Sequence, residues 1–271
     1  MGYHGNNGFI LLFGPLCFIY SGIITLSNSA NLKAPAIGQV GEDFGETNVT
    51  ILALLVSVFV LAFAIGPLVA APASEILGRS IVLHVSMAIF FIFSIACAVA
   101  QNAAQLAVFR FLSGLGGASP LAIGAGVIAD IWEAQERGKA IAVFSMGPPL
   151  APCIAPIIAG FIALRTTWRW VMWVLVFATG FTFVFGLLFL NETFAPIILK
   201  RKAQRLRKET GNNELMTLFE ATEQGESIWH KVGRNLVRPA KLLFGNAIVF
   251  VLSLYMALTY GTSPTSFPMS F

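Results

Sequence analysis

Charged and conformationally special residues in this chain stand at a few defined places. A Glu75-Ile76-Leu77-Gly78-Arg79 segment separates two long uncharged runs. Its glycine permits a tight backbone, and its charges can pair with one another or with helix ends; simple anchoring by Arg79 at a membrane surface is the competing reading. Arg110 is the one charge inside an apolar stretch. An ionisable residue in that setting faces a cavity or a partner, unless it snorkels to nearby headgroups. Pro148, Pro149, Pro152 and Pro156 crowd another apolar stretch, removing backbone donors and favouring kinks. Gly147, Ala151, Ala155 and Ala159 recur every four residues there, a stripe of small side chains that permits close helix approach. Cys17, Cys97 and Cys153 all lie in apolar runs without metal-ligand or disulfide spacing. No nucleotide-binding loop or nucleophile constellation accompanies these residues. Enzyme activity and a cofactor are therefore not expected. His84 and His230 lack a surrounding motif, and the 24 Phe read first as lipid contacts.

The elements that must hold these residues are set by the uncharged runs 1–32, 47–74, 80–109, 111–129, 140–164, 170–191 and 242–271. Each approaches or exceeds the roughly 20 residues that a helix needs to cross a bilayer. Hydrophobic residues make up 56% of the chain and charged ones 11%, against about 25% charged in a soluble domain. The fold class is therefore an all-α membrane protein, since backbone groups in lipid must be satisfied within each segment. Spans are expected near 9–28, 50–72, 81–100, 106–128, 141–163, 170–190 and 244–262. The N-terminus carries no basic region before its apolar stretch, which speaks against a cleaved signal peptide.

Charge fixes the expected orientation. With a cytoplasmic N-terminus, thirteen of the seventeen Lys and Arg fall inside and three outside, Arg110 lying within a span. Ten of them lie between Lys200 and Lys241, beside the spans. That clustering points to anionic lipid headgroups and not to nucleic acid. Leu199, Ala203 and Leu206 are spaced for one face of a basic helix from 199 to 208 lying on the inner leaflet; a solvated charged loop is the alternative. Two sequons, at Asn48 and Asn191, fall on the outer and inner sides of this arrangement. The expected organisation is a six-helix bundle over 1–190, a basic cytoplasmic linker over 191–243, and a seventh span with a short tail over 244–271.

Six spans, a long basic inner loop and a restart resemble the layout of the major facilitator superfamily, and local motifs sharpen the likeness to its fungal-type drug:proton antiporter branch. Gly66 to Arg79 resembles the loop 2–3 signature of an acidic residue followed by Gly and Arg. Arg110 to Ala118, with Gly114, resembles the Arg-x-x-x-Gly signature of span 4. Gly147 to Gly160 resembles the Gly/Pro-rich antiporter signature of span 5. Glu136-Arg137-Gly138, Trp168-Arg169-Trp170, Glu192 to Pro196, and Leu252 to Ala257 in span 7 fit the same branch.

The resemblance implies proton-driven export of small amphipathic molecules by two bundles rocking about a midplane site. It also implies that the acidic residue of the loop 2–3 signature helps latch two halves together, and that Arg110 stabilises a polar cavity or tunes a nearby proton-binding group. The family pattern has glycines where Ala151, Ala155 and Ala159 stand, so added methyls would widen that contact and hinder rocking. Every Asp and Glu lies in a loop or at a span end. The coupling group is thus expected either in a second half or at a border position such as Glu75. The chain reads as a truncated transporter, in the plasma membrane, with lipid, a small-molecule substrate and protons as partners. Self-association or pairing with another transporter half follows from the same expectation. A non-transporting, regulatory membrane fragment is the alternative. A seven-helix receptor fits poorly, because the familiar receptors place the N-terminus outside.

Overall fold

The computed structural model describes residues 33–45, 48–147, 150, 161–162, 165–190, 192–211, 216–217, 233, 237, 241 and 245–262. It divides into two compact units, Met1–Thr222 and Glu223–Phe271. The described secondary structure is helical throughout, as the bilayer requires. In the first unit, α1 is Lys33–Phe44, α2 Val49–Leu77, α3 Arg79–Ala98, α4 Ala103–Gly117, α5 Ser119–Ile131, α6 Arg137–Ser145, α7 Trp168–Phe189 and α8 Ala195–Thr210. In the second, α9 is Ala247–Thr262, on the expected seventh span. The expected first span, 9–28, lies outside the described residues, as does most of the fifth beyond α6.

Among the described residues, four stretches are long and apolar enough to cross a membrane: Ser57–Leu77, Arg79–Ala98, Ala103–Ile131 and Trp168–Leu188. Three boundaries differ from the sequence expectation, each for a local reason. Helix α2 runs 29 residues, about 43 Å at 1.5 Å per residue. The Asn48 side chain caps its start by accepting from the Thr50 N–H at 3.0 Å, and Gly78 stops it with φ +106°. The helical hydrogen-bond ladder of the fourth span is interrupted between α4 and α5 at Ala118, whose backbone stays helical at φ −70°, ψ −19°, because Pro120 has no N–H to give to the preceding turn. The segment before span 2, expected as a loop, contains α1. Its Val40 is buried and Phe44 packs against the same cluster, an i,i+4 pair on one face.

Helices α2, α3 and α4 approach through glycine. A Cβ on Gly114 would stand 2.7 Å from the Phe59 carbonyl oxygen and 2.9 Å from the Ala62 Cβ. One on Gly116 would stand 2.7 Å from the Ser86 carbonyl and 2.8 Å from the Phe90 nitrogen, and one on Gly66 would stand 3.0 Å from the Leu115 carbonyl. These are backbone-to-backbone contacts of the kind small residues allow in lipid, where no hydrophobic force draws helices together. Side-chain clusters fill the two ends. Trp168, Leu106, Val171 and Leu55 belong to one, and Leu83, Met87, Ile123 and Val127 to the other, with Phe59 and Phe90 forming a third.

Candidate functional site

Arg110 sits seven residues into α4, about 10 Å from its first residue. The helix begins three residues before the expected start of span 4, which puts Arg110 about two turns from the helix start. It lines a small cavity of about 10 Å³ with Ser94 and Cys97 of α3, Ser113 of α4, and Met172 and Leu175 of α7. That volume holds about one water molecule. The Ser94 hydroxyl donates to the Phe90 carbonyl at 2.6 Å and the Ser113 hydroxyl to the Arg110 carbonyl at 2.9 Å. Both hydroxyl protons are thereby committed to backbone, leaving oxygen lone pairs as what each can offer the cavity. Among the described residues, no carboxylate forms an ion pair with Arg110. Arg110 lines this cavity and is itself half-buried. Gly114, one turn along α4, is buried against α2.

The second locus lies at the Gly78 end, where one carboxylate joins two helix starts. Glu192 Oε1 accepts from the backbone N–H of Arg79 at 3.0 Å, of Thr193 at 3.2 Å and of Phe194 at 3.1 Å. The first of these groups opens α3 and the other two precede α8, so a single negative charge serves both positive helix ends. The site depends on Gly78. A Cβ there would collide with the Glu192 carboxylate and approach Ile197 Cδ1 to 3.1 Å, on a backbone conformation that L side chains rarely adopt. Glu192 Oε2 is buried and has no hydrogen-bond partner among the described residues.

The Arg79 side chain turns to α5. Its Nε donates to Asp130 Oδ2 at 2.5 Å, and its guanidinium carbon lies 5.2 Å from the centre of the Phe194 ring. Gly126 makes room for the guanidinium, against which any Cβ would collide. Asp130 lies at the C-terminal end of α5, where a negative charge opposes the helix dipole, so Arg79 offsets that repulsion. Arg137, at the start of α6, donates from Nη2 to the Ala129 carbonyl at 2.8 Å and satisfies a terminal acceptor of α5. The Ser80 hydroxyl donates to the Leu190 carbonyl at 3.2 Å, fastening α3 to the end of α7.

The structure therefore brings Gly78, Arg79 and Glu192 together and adds Asp130, which the sequence candidates did not include. An acid closing an apolar run, on the same expected membrane side as Arg79, was the available signal. Glu75 is exposed in the last turn of α2, Arg137 caps α5, and Gly147 is buried just beyond α6. Pro148, Pro152, Pro156 and Gly160 lie outside the described residues. Among the described residues there is no metal-holding group of His, Cys, Asp and Glu.

At the opposite end, Trp168 Nε1 donates to Asp43 Oδ2 at 2.7 Å, tying α7 to α1. The Trp168 ring meets Phe44 edge-on at 5.7 Å, and the Arg169 guanidinium lies 4.8 Å from the centre of the Trp168 ring. Arg169 also donates from Nη1 to the Ala100 carbonyl at 3.2 Å.

This bundle has counterparts of known sequence and structure. The chain is 44% identical over 232 residues to the efflux pump radE of Floropilus chiversii, covering 86% of this chain and 43% of that protein. It is 40% identical over 233 residues to an uncharacterized transporter of Schizosaccharomyces pombe, covering 86% and 47%. The chain thus spans about half the length of these curated relatives. The inward-open xylose transporter XylE of E. coli shares the fold at a TM-score of 0.62 and 16% identity, over 74% of this chain and 53% of that one. The sequence model of the Major Facilitator Superfamily matches residues 16–271. With helices, glycine contacts and matched residues all in agreement, the chain belongs to the Major Facilitator Superfamily.

Proposed function

We propose that this bundle forms one half of a proton-driven exporter of small amphipathic molecules that works by alternating access. The observation that carries the reading is Arg110, which lines a small cavity with residues of α3, α4 and α7. A fixed positive charge there disfavours a second cation and stabilises an anionic neighbour, so it can bias a carboxylate that gains and loses a proton. The resemblance of the span 5 segment to the antiporter signature, and the efflux pump among the relatives, support export. No carboxylate shares the Arg110 cavity among its lining residues. The coupling group is therefore assigned to a second bundle, with Glu75 as the border alternative. In this reading the protein lies in the plasma membrane with its N-terminus and basic linker on the cytoplasmic face. Glu75, Gly78 and Arg79 form the inner latch, and the span 5 prolines supply the bend.

The test joins the chain to the second half of the Schizosaccharomyces pombe relative and measures extrusion of a fluorescent amphipathic dye from vesicles under a proton gradient. Arg110→Ala should lower the initial rate at least tenfold, about 1.4 kcal/mol of barrier, with unchanged membrane insertion. Unchanged transport in that variant removes Arg110 from the mechanism. Extrusion indifferent to a protonophore removes the proton.

A further inference from the structure

Helix α8 is unlike the membrane-spanning helices that precede it. It starts at Ala195, a few residues after α7 is capped at Leu190, so it begins where a span ends. Lys200, Arg201, Lys202, Arg205, Arg207 and Lys208 place six cations within nine consecutive residues, and Glu209 is the one acid of the helix. Arg205 donates from Nε to Glu209 at 3.1 Å, both side chains being well exposed. Leu199 and Leu206, seven residues apart, lie nearly one above the other and are 41% and 39% exposed, with Ile198 at 43%. Ala203 is the buried residue of the helix and marks the side turned to the bundle.

We propose that α8 is a binding surface for the headgroups of anionic lipids, fastened to the bundle through Glu192. Charge complementarity selects the occupant: six cations exceed the one acid in the helix, and the first of them follows ten residues after the Leu190 cap of α7. Leu199 and Leu206 share the Ala203 face, so the apolar side of α8 is turned to the bundle and its rim while the cations occupy the rest of the circumference. The carboxylate that opens α8 also opens α3, so a pull on α8 by the lipid surface reaches the turn at Gly78 directly. Lipid binding at α8 is independent of substrate, proton coupling and direction of transport.

The experiment places the full chain in nanodiscs of phosphatidylcholine, alone or with phosphatidylserine as about a quarter of the lipid, and follows amide hydrogen exchange over 199–208. Phosphatidylserine should slow exchange there by at least about tenfold, and salt near 0.5 M, which shortens the screening length to a few ångström, should reverse most of that slowing. The triple variant Lys200→Gln, Arg201→Gln, Lys202→Gln should exchange like the unaltered chain in phosphatidylcholine and lose most of the response to phosphatidylserine. Equal exchange of the unaltered chain in the two lipids overturns the proposal, as does slowing that salt leaves in place. Equal slowing by soluble polyglutamate in phosphatidylcholine discs also overturns it, assigning the surface to an acidic protein.

Discussion

Removing the Glu192 carboxylate should loosen two helices at once. Its Oε1 holds three backbone N–H groups at 3.0, 3.2 and 3.1 Å. A hydrogen bond to a charged group contributes about 1.5–3 kcal/mol. Three donors share one oxygen here and the side chain is half-buried, so the sum is discounted to about 2–4 kcal/mol for Glu192→Ala. Glu192→Gln keeps an acceptor and loses the charge, and should cost about 1–2 kcal/mol. At about 2–4 °C per kcal/mol for a chain of this size, the alanine variant should melt roughly 5–15 °C lower in detergent, with the glutamine variant between it and the parent. Amide exchange should rise in the first turns of α3 and α8 while the α2–α4 contacts stay protected. Gly78→Ala supplies the internal control. Its cost combines backbone strain of about 1–3 kcal/mol with displacement of Glu192, and only the second part disappears once residue 192 is alanine. The two substitutions should therefore be less than additive. An alanine variant that melts within about 1 °C of the parent and exchanges normally at both helix starts would refute the shared-cap reasoning.

Two further substitutions test how the bundle is held. Gly114→Leu should push α2 and α4 apart, because even a Cβ meets the Phe59 carbonyl at 2.7 Å; a loss of more than about 3 kcal/mol is expected, read as failure to recover folded chain in mild detergent. Trp168→Phe keeps most of the packing with Phe44 but deletes the donor to Asp43. It should cost about 1–2 kcal/mol and raise amide exchange in α1 more than in α3.

Much of the membrane architecture is legible because lipid leaves few alternatives: a long uncharged run must be a helix, and the runs at 47–74, 80–109 and 170–191 became α2, α3 and α7. A lone charge in an apolar helix needs either a cavity or a route to the headgroups, and the half-buried Arg110 lines a small cavity. Other features escaped for physical reasons. Helix α1 is anchored by Val40, Phe44 and the Asp43–Trp168 bond, and that last contact joins residues 125 positions apart. The break between α4 and α5 turns on one proline in a glycine-rich stretch whose composition still suits a continuous span. Arg79 has its ion pair with Asp130 on α5, 51 residues later, which motif spacing does not encode. The sequence placed Glu192 within a motif but not on the α3 start, because capping at that distance belongs to the tertiary structure.

That separation has a consequence for biosynthesis. The Arg79 N–H meets its Glu192 acceptor across 113 residues of chain. At about 5–20 residues per second, a ribosome needs roughly 6–20 s to make the intervening segment. During that interval the Arg79 N–H at the start of α3 is without its Glu192 acceptor. Closure waits for α7 to be threaded and for the chain to return to Gly78. Glu192 is therefore a late contact of assembly: until it is made, the Arg79 N–H at the start of α3 lacks the acceptor it has in the finished bundle.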